Sequence, residues 1–166
     1  MRDRRFVAAH RGGPLDKDSH IFLTRWAADC AEGVLHLFVR SSDDDRPTRA
    51  LEIARAWANG RVKTGAAMKA SVACHAAARE TKDKAAIAAA RAAGQAVATA
   101  HFADHSMGAL LYALKALEAA GYESDTELQT RLEQLPDHLR EPVESGVSLR
   151  SAKLGIKATL EQYGHN

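Results

Sequence analysis

Residues 85–120 read "AAIAAARAAGQAVATAHFADHSMGALLYALKALEAA", and this stretch decides the fold. It contains no proline, and alanine dominates its first half. Alanine loses the least on entering a helix, and nothing here alternates apolar and polar with the period of a strand. One helix of that length is unusual in a chain of this size. A break is therefore expected near Ala103–Ser106, where Asp104 and Ser106 are both suited to cap a new helix. Leu110, Leu111, Leu114 and Leu117 then form the inner face of the following segment, which ends at Gly121.

The flanking sequence has the same character. "RGGPLDKD" (11–18) predicts a turn and a helix start, with Asp16 or Asp18 as cap. Leu23, Trp26, Ala27, Cys30, Val34, Leu37 and Phe38 recur at three- and four-residue spacing, an apolar stripe over about six turns. "SSDDDRP" (41–47) breaks it. Asp45 then caps a second helix, with Pro47 in the first turn, Leu51, Ala54, Trp57 and Ala58 facing inward, and Gly60 at its end. Thr64 caps a third, with Met68, Val72, His75 and Arg79 on one side. Ser124 opens a short helix stopped by Pro136. "DHLREPVESG" (137–146) is expected as loop with one turn, and Leu149, Ala152, Ile156, Leu160 and Tyr163 as a terminal helix after Ser148.

The expectation is an all-α, single-domain array of about six to seven helices. Its layout is an N-terminal arm over 1–15, a helical domain over 16–140, and a C-terminal loop and terminal helix over 141–166. The 166 residues suffice for one domain with a real core. Aromatic residues make up only 5%, which disfavours a sheet-rich fold. A net charge of +2 is too mild to argue for nucleic acid, and the basic "RDRR" (2–5) lacks interleaved aromatics. No run of 18 apolar residues is present and the N-terminal apolar run is too short for a signal peptide, so no membrane span is expected and the cytoplasm is the expected compartment. Cys30 and Cys74 form no C-x-x-C pattern and are expected as two buried thiols.

The chemistry-bearing residues are mostly histidines. His101 and His105 stand one turn apart if the helix continues through them, the spacing of a two-histidine metal site. On a helical wheel Gly94, Val97, His101, His105, Gly108 and Tyr112 fall within about 60°. Phe102 stands where a helical zinc site needs glutamate, and no E-x-x-H occurs. Histidines hydrogen-bonded at a helix–helix contact are the simpler reading, and neither metal nor cofactor is expected. Asp29, at the margin of the first stripe, needs a partner such as His75, His101 or Arg55. Trp26 and Trp57 lie on inner faces, where core packing is the plainer role and lining a binding pocket the alternative. Asp43, Asp44 and Asp45 form a negative loop: a solvated capping turn, or a contact patch for a basic partner. Phosphate-loop, dinucleotide and nucleophile-elbow motifs are all missing, and no catalytic residue is assigned.

"RGGPL" (11–15), "RWAADCAEGVL" (25–35), "DDDRPTRALEIARAWANG" (43–60), "AARAAGQAVATAH" (89–101) and "GALLYALKA" (108–116) together, in this order and spacing, resemble the Imm-5-like family of immunity proteins over roughly Ala9 to Leu139. These small bacterial proteins are attributed to toxin–immunity systems. The resemblance implies a cytoplasmic helical protein that binds and neutralises a cognate protein toxin, and it carries over no catalytic residue. Two other readings stand beside it. One is a metal-binding or enzymatic protein using Asp29, His75, His101 and His105. The other is a structural module that self-associates through the small residues of 85–100. If the histidines serve binding, a shallow pocket bordered by Asp29, His75 and His101 is the expected form.

Overall fold

The computed structural model describes residues 2–157 and is all-α. Among these residues two short 3-10 turns, Arg4–Phe6 and Ala9–Arg11, precede seven helices: α1 (Lys17–Val39), α2 (Arg46–Ala58), α3 (Thr64–Arg79), α4 (Lys84–Ala98), α5 (His105–Ala119), α6 (Asp125–Glu133) and α7 (Asp137–Leu154). Among the described residues the sole β feature is an isolated bridge between Ala8 and Leu15. It closes the N-terminal turn, with Ala9 N–H donating to the Leu15 carbonyl at 2.8 Å. Gly12 there takes φ 79°, and a Cβ on Gly13 would overlap the Val7 carbonyl, so both glycines are required by the turn.

The alanine-rich stretch becomes the middle of the molecule. Ala85, Ala86, Ala89, Ala90, Ala92, Ala93, Gly94 and Ala96 are all buried, covering nearly every side of α4. A helix apolar all round belongs inside a fold, and α4 packs against α1, α2, α3 and α5. Small side chains let four neighbours approach one helix closely. α5 divides the interior by its two faces. Ala109, Ala113 and Ala116 join the alanine-rich layer, while Leu110, Leu111 and Leu114 join a second cluster with Leu23, Trp26, Met107, Leu128, Leu132 and Val143.

Asp16 caps α1 as expected, its Oδ1 accepting from Ser19 N–H at 2.8 Å. Asp45 and Ser124 occupy N-cap positions without a side-chain cap bond, and Lys63, not Thr64, is the N-cap of α3. The chain breaks between Ala98 and His105, slightly earlier than the sequence suggests. α3 buries Ala67, Cys74, Ala77 and Ala78 and leaves Met68 and Val72 exposed, because its alanine face is the one that fits against α4.

The C-terminal segment differs most from expectation. Residues 137–146, read as loop with one turn, lie inside α7, which ends at Leu154 where Gly155 takes φ 64°. Ile156 is therefore beyond the helix, and Leu160 and Tyr163 lie outside the described residues. Pro142 sits within the helix. An interior proline costs about 3 kcal/mol. Leu139, Val143 and Val147, spaced by four and buried in the second cluster, offset that cost by docking α7 alongside α5.

Candidate binding site

His101 and His105 do not share a helix. His101 lies in the connection after α4, and His105 opens α5. The ring between them organises the neighbourhood. Phe102 packs edge-on against His101, with centroids 4.1 Å apart, and lies 6.5 Å from His105. The guanidinium of Arg2 lies 3.3 Å from the Phe102 centroid and that of Arg11 lies 4.3 Å from it. Arg2 also pairs with Asp104 at 3.1 Å. Arg11 Nη2 points to His101 Nδ1 at 3.4 Å; the guanidinium can only donate, so this ring nitrogen accepts. His105 Nδ1 donates to Gln95 Oε1 at 2.7 Å.

His75 belongs to the same region through α3. Its ring covers Gly94, where a Cβ would stand 3.0 Å from the imidazole Cε1. All three imidazoles are held below the ordinary value of 6.5, chiefly by burial. Neighbouring arginines add to the shift: Arg91 and Arg79 at His75, Arg11 and Arg2 at His101. Asp104 opposes it at His105. Near pH 7 the rings are neutral.

Asp29 does not join them. It faces α2, where Arg55 Nη2 donates to Asp29 Oδ1 at 2.9 Å and to Glu32 Oε2 at 2.9 Å. Of the partners weighed for Asp29, the structure selects Arg55. The four-residue cluster of Asp29, His75, His101 and His105 is thus not assembled. Among the described residues no group of three or more His, Cys, Asp or Glu is placed to hold a metal ion.

The acidic loop is matched internally. Asp44 accepts from Arg46 Nε at 2.9 Å, which lowers its pKa, and Asp45 lies 3.7 Å from Arg49. Arg46 also reaches Glu80. Asp43 is exposed and has no ion pair among the described residues.

The two tryptophans separate. Trp26 is buried in the second core cluster and donates its Nε1–H to the Arg131 carbonyl at 2.9 Å. Trp57 is partly exposed, donates to Thr64 Oγ1 at 3.1 Å, and forms one wall of a cleft of about 730 Å³. The other walls come from the N-terminal turn (Ala8, Ala9, His10, Leu15), the start of α1 (Lys17, His20, Ile21) and the turn after α2 (Asn59, Gly60, Val62). His20 is only 4% exposed. Its ring lies 4.9 Å from Trp57 at 51°, and its Nε2 lies 2.6 Å from the Thr99 carbonyl oxygen. Sequence reasoning passed over His20. The available signal was its place on the α1 stripe, three residues before Leu23 and four before the buried Thr24.

The N-terminal turn thus borders two features at once, the cleft on Trp57 and the arginine–phenylalanine–histidine cluster. The chain is thus an all-helical domain with arginine and aromatic side chains gathered on its N-terminal turn and the connection after α4. The chain belongs to the Imm-5 like putative immunity protein family, whose model matches residues 13–138. The resemblance seen in the sequence is therefore correct. No curated protein and no solved structure matches the chain.

Proposed function

We propose that this chain is a bacterial cytoplasmic immunity protein that binds and neutralises a cognate protein toxin. The observation that carries the reading is the family match over residues 13–138. The Phe102 cluster supports a place for the contact. Arginine and aromatic side chains dominate binding energy at protein interfaces, and here two guanidiniums are already ordered over one ring. Arg2, Arg4 and Arg11 make the N-terminal turn electropositive, so the fitting toxin surface is acidic. The acidic loop is a weaker centre, because Asp44 and Asp45 are already engaged by Arg46 and Arg49.

The test is co-expression with the toxin encoded beside this chain's gene. Restored growth and a co-purifying complex are expected. Phe102→Ala should weaken the complex by about 30-fold, the loss of one hot-spot side chain. Replacing Asp43, Asp44 and Asp45 by asparagine should leave the dissociation rate unchanged. Neither rescue nor complex on co-expression would sink the reading.

A further inference from the structure

The cleft beside Trp57 is chemically asymmetric. Its volume of about 730 Å³ is in the range of small-molecule sites, and its walls are mostly apolar: Ala8, Leu15, Ile21, Ala58 and the face of Trp57. Trp57 lines the cleft and is anchored through its Nε1–H bond to Thr64 Oγ1, and an indole ring is a surface on which a flat molecule can stack.

Four side chains bring polar groups to the cleft: Lys17, His20, Asn59 and the exposed His10 of the N-terminal turn. His20 supplies an acceptor. A carbonyl cannot donate, so the hydrogen shared with Thr99 sits on His20 Nε2. In the neutral ring Nδ1 is then an acceptor. It has no hydrogen-bond partner among the described residues, and His20 lines the cleft. Lys17 and Asn59 supply donors. The Lys17 ammonium has no ion pair among the described residues. Asn59 spends its Oδ1 on Arg25 at 2.8 Å, which leaves its amide hydrogens free for a ligand. Lys17 is the one formally charged residue along the described lining, so the cleft favours an anion.

We propose that this cleft is a small-molecule site for a planar aromatic carboxylate that carries a ring N–H or O–H. The ring stacks on Trp57, its hydrogen is donated to His20 Nδ1, and the carboxylate meets Lys17 and Asn59. The site is separate from the Phe102 cluster assigned to toxin contact, so either assignment can fail without the other.

Calorimetry on the full chain with indole-3-acetate tests it, together with two analogues. Benzofuran-3-acetate replaces the ring N–H by oxygen, and tryptamine replaces the carboxylate by an ammonium. Indole-3-acetate should bind one to one with a dissociation constant below about 1 mM. Benzofuran-3-acetate should bind about five-fold more weakly, the effect of one hydrogen bond. Tryptamine should not bind measurably. Lys17→Glu, at an exposed position, should weaken indole-3-acetate at least about five-fold without changing the circular dichroism. His20→Leu removes the bond to Thr99 as well as the free acceptor, so the comparison of the two carboxylates, made on unaltered protein, decides the role of His20. The proposal is overturned by no saturable binding of indole-3-acetate, by equal affinity for its benzofuran analogue, or by tryptamine binding as well as the carboxylate.

Discussion

His20 donates its Nε2–H to the carbonyl oxygen of Thr99 at 2.6 Å, across 79 residues of sequence. The bond pins the first turn of α1 to the point where α4 stops. Both residues are buried, so the carbonyl has no ready substitute partner in water. Burial also holds the His20 imidazole below its ordinary value of 6.5, outweighing the Thr99 bond, which favours the charged ring.

The first prediction concerns pH. His20, His75, His101 and His105 are all depressed below 6.5. In the unfolded chain they take up protons as pH falls through 6.5, while in the native state they resist. The unfolded state therefore binds more protons, and stability rises with pH across this window. Full stability should hold above about pH 7 and fall progressively towards pH 5. Urea denaturation at several pH values measures it. His20→Leu should lose about 1–3 kcal/mol at pH 7.5 through the orphaned carbonyl. It should also show a shallower slope between pH 7 and 5. A pH-independent midpoint would contradict the burial of these rings.

Asp29 yields the opposite kind of expectation. Its side chain is 55% exposed, and its pair with Arg55 is a surface ion pair. Such pairs are worth roughly 0–1 kcal/mol. Asp29→Asn should shift stability by no more than about 0.5 kcal/mol, and any shift should shrink in 1 M salt, where the Debye length falls to about 3 Å. A loss of several kcal/mol would mean that Asp29 supports more than α1 against α2.

The helices legible in the sequence are those whose apolar residues carry the signal alone. The α1 stripe from Leu23 to Phe38 specifies a helix without reference to its neighbours. α7 is different, because Pro142 and the polar residues around it point to loop, and only docking beside α5 overrides them. Leu139, Val143 and Val147 were there to be read, but their weight depends on a partner face that local sequence does not reveal. The site was harder still. Its residues come from the N-terminal turn, the start of α1, the end of α2 and the turn after it, so no single segment contains its pattern. The His101–His105 spacing carries a metal-site meaning under one condition. It has meaning only on an unbroken helix, and the break after Ala98 removes that premise.

The thiols should be inert. Cys30 and Cys74 are buried and unpaired, and burial raises both, Cys74 to about 12. Thiolate is the reactive form, so neither is nucleophilic near neutral pH. A disulfide reagent such as DTNB at pH 8 should label neither cysteine in the native protein and both in denaturant. Rapid labelling of native Cys74 would show that α3 opens away from α4 readily.

That α3–α4 contact turns on Gly94. A Cβ there would stand 3.0 Å from His75 Cε1 and 3.1 Å from Cys74 Cβ, so the helices meet with no room for a side chain. Gly94→Leu gains about 1 kcal/mol of helix propensity. It also forces the His75 ring outward or separates the helices, and overpacking of this kind costs about 1–3 kcal/mol. The clash should prevail, because α4 is enclosed by neighbours on its other sides and cannot retreat. Gly65→Ala is the control: it lies in the first turn of α3, and a Cβ there meets nothing within 4 Å. It should be neutral or stabilise by up to about 1 kcal/mol. Thermal and urea unfolding of the two variants read the difference directly. If Gly94→Leu proved as stable as Gly65→Ala, close approach at Gly94 would not be what holds α3 to the central helix.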